Sequence, residues 1–519
     1  MRKIKKMGII QKFDNKISFF SKNIVISLLI IGIAGFILRI SFLNTDIPLG
    51  GDNFLYFRYA IDLVVGHSSQ NYVVFNDGWP YFLSPFFLLM QSENFLEYMA
   101  LQKYISIIIS LATIIPIYYL GRHFFSKSYS VLGCAIFVFE PRIVQNSLFG
   151  ITDPLYLIGV TISLSLFFSK KNFLQYISFV IIALTTIVRS EGIFLIAIYG
   201  IIFIIQKGIN KKSIIEFLFI SLIIFLILFP MAMIRTEKIG NDGLSARVDQ
   251  GINHLESASD NDVTTLFEIL IKGGINLIKF IGWSQIPILI FFVPIGIILV
   301  LKSKNFYEKS LIIIGLVILI PTLYAFSFIS DSRYLFPLYP IFSIFAVYAL
   351  RYYFKKISNQ RILTVLIFSA IFVTSFFYLD SKDESEHELE LYNLSLEISE
   401  RATGVNILYP ESSYLQVVGL TKTENFPISS DDFAKKNIKK FWINEFGSVN
   451  EVIEFGSNNG MTHLIIDEKN REPKFLKEVF RNEEKYPFLI KEFDSKVHGY
   501  NYHLKIFKID YEKFRMINN

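Results

Sequence analysis

Apolar positions come in long runs over the first three quarters of the chain, at residues 24–43, 99–120, 128–147, 154–169, 172–188, 190–206, 213–234, 284–301, 310–329, 334–350 and 362–379. A helix needs about 20 apolar residues to cross a hydrocarbon core of roughly 30 Å. The pattern therefore predicts about eleven transmembrane helices, the shorter runs being the less complete. Two longer polar stretches, 44–98 and 235–283, interrupt the series. In the first, Phe54, Phe57, Ile61 and Val64 recur at helical spacing, which predicts an amphipathic helix lying along the membrane interface. The second ends in "LFEILIKGGINLIKFIGW", with Lys272 and Lys279 on an apolar segment broken by Gly273 and Gly274. It reads as a second interfacial segment, with a spanning helix as the rival. Beyond residue 380 the runs stop. There "GVNILYP", "MTHLIIDE", "PFLIKEFD" and "YHLKIFKID" predict strands, and "EPKFLKEVFRNE" a helix between them. The expected architecture is an α-helical polytopic membrane domain over 1–380, followed by a small α/β domain over 381–519.

Composition agrees with this pattern. Of 519 residues, 52% are hydrophobic and 16% aromatic, which excludes an ordinary soluble domain. The mean hydropathy is +0.45. The net charge of +6 does not point to nucleic acid, because the basic residues collect in turns between apolar runs. Every second turn is basic: Arg122/Lys127, Lys170/Lys171, Lys207/Lys211/Lys212, Lys302/Lys304/Lys309 and Arg351/Lys355/Lys356/Arg361. The positive-inside rule then puts the N-terminus in the cytoplasm and, after eleven spans, the tail outside. The basic start, from Arg2 to Lys22, leads into the first run without a small-residue cleavage pattern and reads as a retained anchor. Cys134, the single cysteine, excludes an internal disulfide. Within the spans, Glu216 and Arg39 lie near ends where they can snorkel. The scarcity of charges at mid-depth speaks against a coupled transporter.

Candidate chemistry collects in the turns expected outside. Asp52 follows Gly50-Gly51 at the head of the first-loop helix, where an N-cap role would equally explain it. Asp153 ends "EPRIVQNSLFGITDPLY", where capping is again the ordinary explanation. Arg189 and Glu191 form the turn "RSEG", and a snorkelling surface pair would account for them. Arg235 opens the second long loop, and "SDSRYLFPLYP" brings Asp331 and Arg333 to the same face. Arginine grips phosphate oxygens bidentately, and an aspartate can take a proton from a hydroxyl. Acids and arginines together at one membrane face suit a lipid whose headgroup is a phosphate.

These stretches resemble a known family. "GGDNFLYFRYAIDLVVGHSSQNYVVFNDGWPYFLSP" is similar to the first loop of the GT-C membrane glycosyltransferases of the protein-mannosyltransferase and aminoarabinose-transferase type. "EPRIVQNSLFGITDPLYL", "ALTTIVRSEGIFLI", "FPMAMIRTEKIGNDG" and "SRYLFPLYPIFSIFAVYAL" follow in order, so the likeness covers roughly 24–380. It implies that Asp52 is the catalytic base, with Asp153, Arg189, Glu191, Arg235, Arg333 and Tyr56 binding substrate. "PRIVQNSLFGITD" also resembles a stretch of the oligosaccharyltransferase catalytic subunit in which an Asp ligates a divalent metal, although the "WWDYG" of that subunit is missing from the tail. The first loop has Asp52-Asn53 where the family usually has an acidic pair.

The implied reaction moves a sugar, mannose or another hexose, from a dolichyl- or polyprenyl-phosphate donor to the hydroxyl of a protein or glycan acceptor. It is a single displacement with inversion, in which the leaving group is already an anion. No cofactor is required on this reading, and a divalent cation, Mg or Mn, at Asp153 stays open. Alternatives are an oligosaccharyltransferase- or ligase-like enzyme using a lipid diphosphate, and a lipid-linked sugar transporter. In the tail, His463, His498 and His503 lack metal-binding spacing, and Asn393-Leu394-Ser395 is a glycosylation sequon.

Overall fold

The computed structural model describes residues 23–67, 76–245, 263–328, 331–354, 360–401, 417–421, 423, 425–436, 446–468 and 474–518. The basic N-terminal residues, the Lys355/Lys356 turn and the strand expected at "GVNILYP" fall outside them. The chain forms two compact units. One comprises 1–43, 70–82 and 102–382; the other comprises 44–69, 83–101 and 383–519.

The first unit is helical, and every apolar run of the sequence coincides with helix. Five helices are long and apolar enough to cross a membrane: Phe95–Arg122, Lys211–Lys238, Phe306–Ser327, Ser332–Phe354 and Ile362–Arg401. A sixth candidate is the bent pair Ile271–Ser284 and Leu289–Leu301, with a 101° angle between its halves. Five shorter apolar helices, Ile24–Ile40, Lys127–Val138, Asp153–Phe167, Asn172–Val188 and Gly192–Lys207, account for the remaining runs. On Lys211–Ile239, Leu218, Phe219, Leu222 and Leu226 are each more than half exposed, a surface that lipid covers and water would not. The helix Lys127–Val138 is its opposite. Every residue from Ser128 to Val138 is buried, so neighbouring helices enclose it on all sides. This is the fold of a polytopic membrane protein.

Two expectations change here, and a third segment takes definite form. The run 128–147 is not one helix: it breaks after Val138, and a short helix Pro141–Leu148 follows, capped by Glu140, whose carboxylate accepts the Arg142 and Ile143 amides at 2.8 and 3.1 Å. Arg39 does not snorkel. It is wholly buried, and its guanidinium donates to Gly35 O, Ser110 Oγ, Val138 O and Ser147 Oγ at 3.0 to 3.3 Å, tying the first span to the residues around the break. The segment ending the second long loop is a 22-residue helix, Val263–Ser284, whose Gly273 lies against the 306–328 helix, an added Cβ coming 2.2 Å from Ser327 Oγ. Its C-terminal carbonyls are held at the bend: Arg142 donates to Ser284 O at 3.3 Å and to Ile286 O, and the Tyr339 hydroxyl donates to Ser284 O at 2.8 Å. A cation at a helix C-terminus suits the dipole there.

The second unit holds a three-stranded antiparallel sheet in the order β1-β3-β2, formed by β1 His463–Asp467, β2 Leu489–Asp494 and β3 Leu504–Ile509. All three strands fall within stretches expected to form them, and Lys474–Arg481 is the expected helix. The sheet is covered on both faces. Val452, Ile453, Leu476 and Val479 pack with Leu464, Ile466 and Phe507 on one side, and Leu394 and Ile398 pack with Ile465, Leu504 and Ile506 on the other. The first-loop helix, Gly51–Val64, also belongs to this unit. Its apolar face was expected to lie on the membrane interface. Instead Phe54 and Phe57 are buried against Phe433, Phe426 and Phe87 of the same unit.

Candidate active site

The site of the first unit is built on a turn that only glycine can make. At Gly150 φ is +65°, a backbone conformation that side chains disfavour, and an added Cβ would stand 3.0 Å from Gln102 Cγ. The Gly150 carbonyl accepts from Trp79 Nε1 at 3.0 Å and Gln102 Nε2 at 2.7 Å, so the turn is fixed from two sides. Asp153 leaves it as the first residue of the helix Asp153–Phe167, with Pro154 next, where a missing amide hydrogen costs nothing. The capping explanation gives way here. Thr152 is the N-cap, and the Asp153 carboxylate, 3% exposed, accepts from Asn146 Nδ2 at 3.0 Å and from the Arg189 guanidinium.

Arg189 is placed by an equally close backbone approach. It ends the helix Asn172–Val188 in an extended conformation. Gly78 of "NDGW" packs on that helix end, since a Cβ there would lie 2.7 Å from Val188 Cα, and Asn76 Oδ1 accepts the Ser190 amide at 3.3 Å. The first-loop stretch thus clasps the turn that carries the arginine. Arg189 is 8% exposed and bridges Asp153 to Glu191, with Nη2 to Glu191 Oε1 at 3.0 Å. Its guanidinium lies 5.7 Å from the Tyr156 ring centroid and 5.5 Å from that of Tyr334. The surface-pair explanation is therefore overturned. Burial works to lower the arginine's pKa, but the Glu191 and Asp153 carboxylates outweigh it and hold the proton more firmly than usual.

Arg333 joins from the 3-10 turn Ser332–Leu338, which Asp331 caps by accepting the Arg333 amide at 2.9 Å, while Arg333 Nε reaches the other carboxylate oxygen at 2.6 Å. Tyr334, the next residue, stands 5.5 Å from the Arg189 guanidinium, so the turn that carries Arg333 meets the Arg189 site. The Arg333 side chain is 30% exposed against 10% for Arg189. Beside Arg189 and Tyr334 opens a cleft of about 360 Å³. Arg189, Glu191 and Tyr334 make one part of its wall, and Leu195, Ile318 and Pro321 another. The cluster has three carboxylates for two guanidinium groups, so it carries one net negative charge.

Another candidate of the first unit sits in a second ion pair. Arg235, 4% exposed, pairs with Asp77 and donates from Nε to Asn241 Oδ1 at 2.8 Å, lining a second hollow of about 300 Å³. Asp52 and Tyr56 belong to the second unit. There Gly50 is the N-cap of Gly51–Val64 and gives no side-chain bond, so Asp52 is not the cap. It is exposed in the first turn, where a carboxylate suits the helix dipole, and Tyr56 is buried. Asn146, Tyr156, Tyr334 and Asp77 take part without having been singled out as site residues. Of these, Asn146 stood inside a quoted stretch, but nothing local marks it as a partner of Asp153. Among the described residues, no three of His, Cys, Asp and Glu are grouped so as to hold a metal ion.

No protein-family model matches the chain. No curated protein matches it. Solved structures do. The Archaeoglobus fulgidus oligosaccharyltransferase tethered with an acceptor peptide aligns with a TM-score of 0.59 at 14% identity, over 93% of this chain and 74% of that one. ArnT from Cupriavidus metallidurans bound to undecaprenyl phosphate aligns with a TM-score of 0.53 at 10% identity, over 93% of this chain and 97% of that one. Such low identities speak to fold alone. The fold is that of the GT-C membrane glycosyltransferases. Both relatives are polytopic membrane proteins with a C-terminal domain, as is this chain.

Proposed function

We propose that this GT-C chain transfers a sugar, mannose or another hexose, from a dolichyl- or polyprenyl-phosphate donor to an acceptor hydroxyl, with inversion. The observation that supports this most is the cleft lined by Arg189, next to the turn that carries Arg333. The Arg189 guanidinium lines one part and apolar side chains another, as a phosphate on an isoprenoid chain requires. AglB of A. fulgidus has been captured with dolichol-phosphate, and ArnT with undecaprenyl phosphate, which makes a lipid phosphate the natural ligand to test.

In this reading the acceptor hydroxyl oxygen bonds to the anomeric carbon as the bond from that carbon to the phosphate oxygen breaks. Asp52 takes the hydroxyl proton, and the lipid phosphate leaves as an anion. Arg333, the more accessible guanidinium, meets the phosphate. Arg189, engaged on both sides by Asp153 and Glu191, orients those carboxylates and the Tyr156 and Tyr334 rings around the headgroup. Asp153 is a poor fit for a metal ligand, because its carboxylate already holds Arg189 and Asn146, so no step is assigned to a cation.

A second reading, an oligosaccharyltransferase-like enzyme acting on a lipid diphosphate, draws on the alignment with the A. fulgidus enzyme, which also exists as a complex with Zn and sulfate. One assay separates the two. Purified protein given radiolabelled polyprenyl-phosphate mannose and candidate acceptors should release polyprenyl phosphate without added metal, and Asp52→Asn should abolish release while still binding polyprenyl phosphate. Release only from a diphosphate donor would favour the second reading. No release from either, across several sugars, would remove both. The cytoplasmic N-terminus and extracytoplasmic tail remain part of the proposal, and protease access to the tail in sealed vesicles of known orientation checks them.

A further inference from the structure

The tail offers no chemistry of its own in the proposed reaction, yet two side chains of the first-loop helix grip a single tail residue. Arg58 and Asp62 stand four residues apart, hence on one face of the helix Gly51–Val64. Asp62 Oδ1 accepts the Ser430 amide at 2.7 Å, and Arg58 Nη2 donates to the Ser430 carbonyl at 3.3 Å. Both polar groups of one peptide residue are thus held by neighbouring turns of one helix. Asp62 is fully buried, and Arg58 lies 4.6 Å from the centroid of Phe433.

Aromatic packing on both sides of the grip completes it. Phe57 stacks on Phe426 at 6.1 Å, Tyr98 meets the same ring at 5.1 Å, and Phe54 meets Phe433 at 5.8 Å. His67 Nε2, just past the helix, lies 3.2 Å from Asp431 Oδ2. An interfacial helix held by lipid alone needs none of this: a charged pair sealed against one tail peptide fixes both its slide and its rotation. Asp62 lies ten residues, about 15 Å, along the helix from Asp52. A tilt of about 4° at the grip therefore moves the helix start by about 1 Å, a displacement that can cost about 100-fold in rate.

We propose that tail residues 426–433 are a positioning element of the site: Ser430, Phe426 and Phe433 hold the first-loop helix so that Asp52 is presented in register. This rests on the reading of Asp52 as the base. Asp62, Arg58 and Ser430 are positioning residues, and none needs to touch substrate.

The test uses the full-length protein in detergent or nanodiscs. Asp62→Ala removes the acceptor for the Ser430 amide, whereas Asp62→Asn keeps an acceptor oxygen at the same place. Two readouts are taken: amide hydrogen exchange over residues 51–60, and kcat and KM with polyprenyl-phosphate mannose. Asp62→Ala is expected to speed exchange in that window and to lower kcat about 100-fold with KM unchanged, and Asp62→Asn to restore most of both. Unchanged exchange in Asp62→Ala overturns the grip. Faster exchange with full kcat overturns its positioning role. If Asp62→Ala does not accumulate, Arg58→Met removes the other half of the grip and is judged by the same two readouts. Failure of the base reading looks different: Asp52→Asn would stay active while the exchange result still stands or falls by itself.

Discussion

Two buried arginines in the helical unit answer the same problem in opposite ways. Arg39 is satisfied by neutral oxygens, two hydroxyls and two backbone carbonyls, and among the described residues no carboxylate pairs with it. Arg189 is held by the carboxylates of Asp153 and Glu191 and lines a cleft. The acceptors of Arg39 all belong to the helices and turns that it joins, so Arg39 reads as a clamp of the helix bundle. A carboxylate cage is different. It keeps the guanidinium charged inside a low-dielectric site and can be rearranged when a phosphate arrives. Burial of an arginine is therefore no sign of function in itself; the kind of partner is.

The largest effect should come from breaking the cage on one side. Arg189→Met leaves Asp153 and Glu191 buried without their partner and should cost about 3–5 kcal/mol of stability, read by thermal unfolding in detergent. Combining it with Asp153→Asn should return part of that loss. Next comes Arg333→Gln, expected to lower kcat/KM about 100-fold with little change in unfolding temperature, since its side chain is 30% exposed. Arg39→Met should do the reverse, costing about 1–3 kcal/mol because its hydroxyl and carbonyl partners lose a donor, while the kcat of the surviving protein stays that of the parent. Gly150→Ala, which forces a side chain into a positive-φ turn, should cost about 1 kcal/mol and loosen the turn that presents Asp153.

The smallest expected effect lies in the other unit and in pH. Burial raises the pKa of Asp62 above its ordinary 3.8, outweighing the Ser430 hydrogen bonds and the Arg58 and His67 charges that lower it. The folded state then holds this proton at a pH where the unfolded chain has lost it. The contribution is complete below 3.8 and fades as pH rises through the raised folded value. Asp62→Asn should flatten that slope, which unfolding midpoints measured across the acid range would show.

Much of the helical unit was legible because crossing a membrane demands apolar runs of a fixed length, and each such run became largely helix. Breaks inside the runs were not. Glu140 reads as an acid at the end of a span, and only the fold reveals that it caps a new short helix after Val138. The bend near residue 285 falls where one segment ends at Trp283 and the next run begins at 284, but Ser284, Gln285 and Pro287 mark only a break there and not its 101° angle. At the site, the residue types were readable but their pairing was not, because Asp153 and Arg189 lie 36 positions apart and Arg235 and Asp77 158 apart. Least readable was the partner of the first-loop helix. Its apolar stripe fits a membrane surface as well as a protein one, and the residue it grips is 368 positions away.

Binding of dolichyl phosphate to the purified protein puts the central claim to its shortest test. Titration of the parent, Arg39→Met and Arg333→Gln in matched nanodiscs should show parental affinity for Arg39→Met and affinity weakened by about tenfold or more for Arg333→Gln, as expected for loss of a charged phosphate contact. Equal affinity in all three proteins would contradict the assignment of Arg333 and the Arg189 cleft to a lipid phosphate.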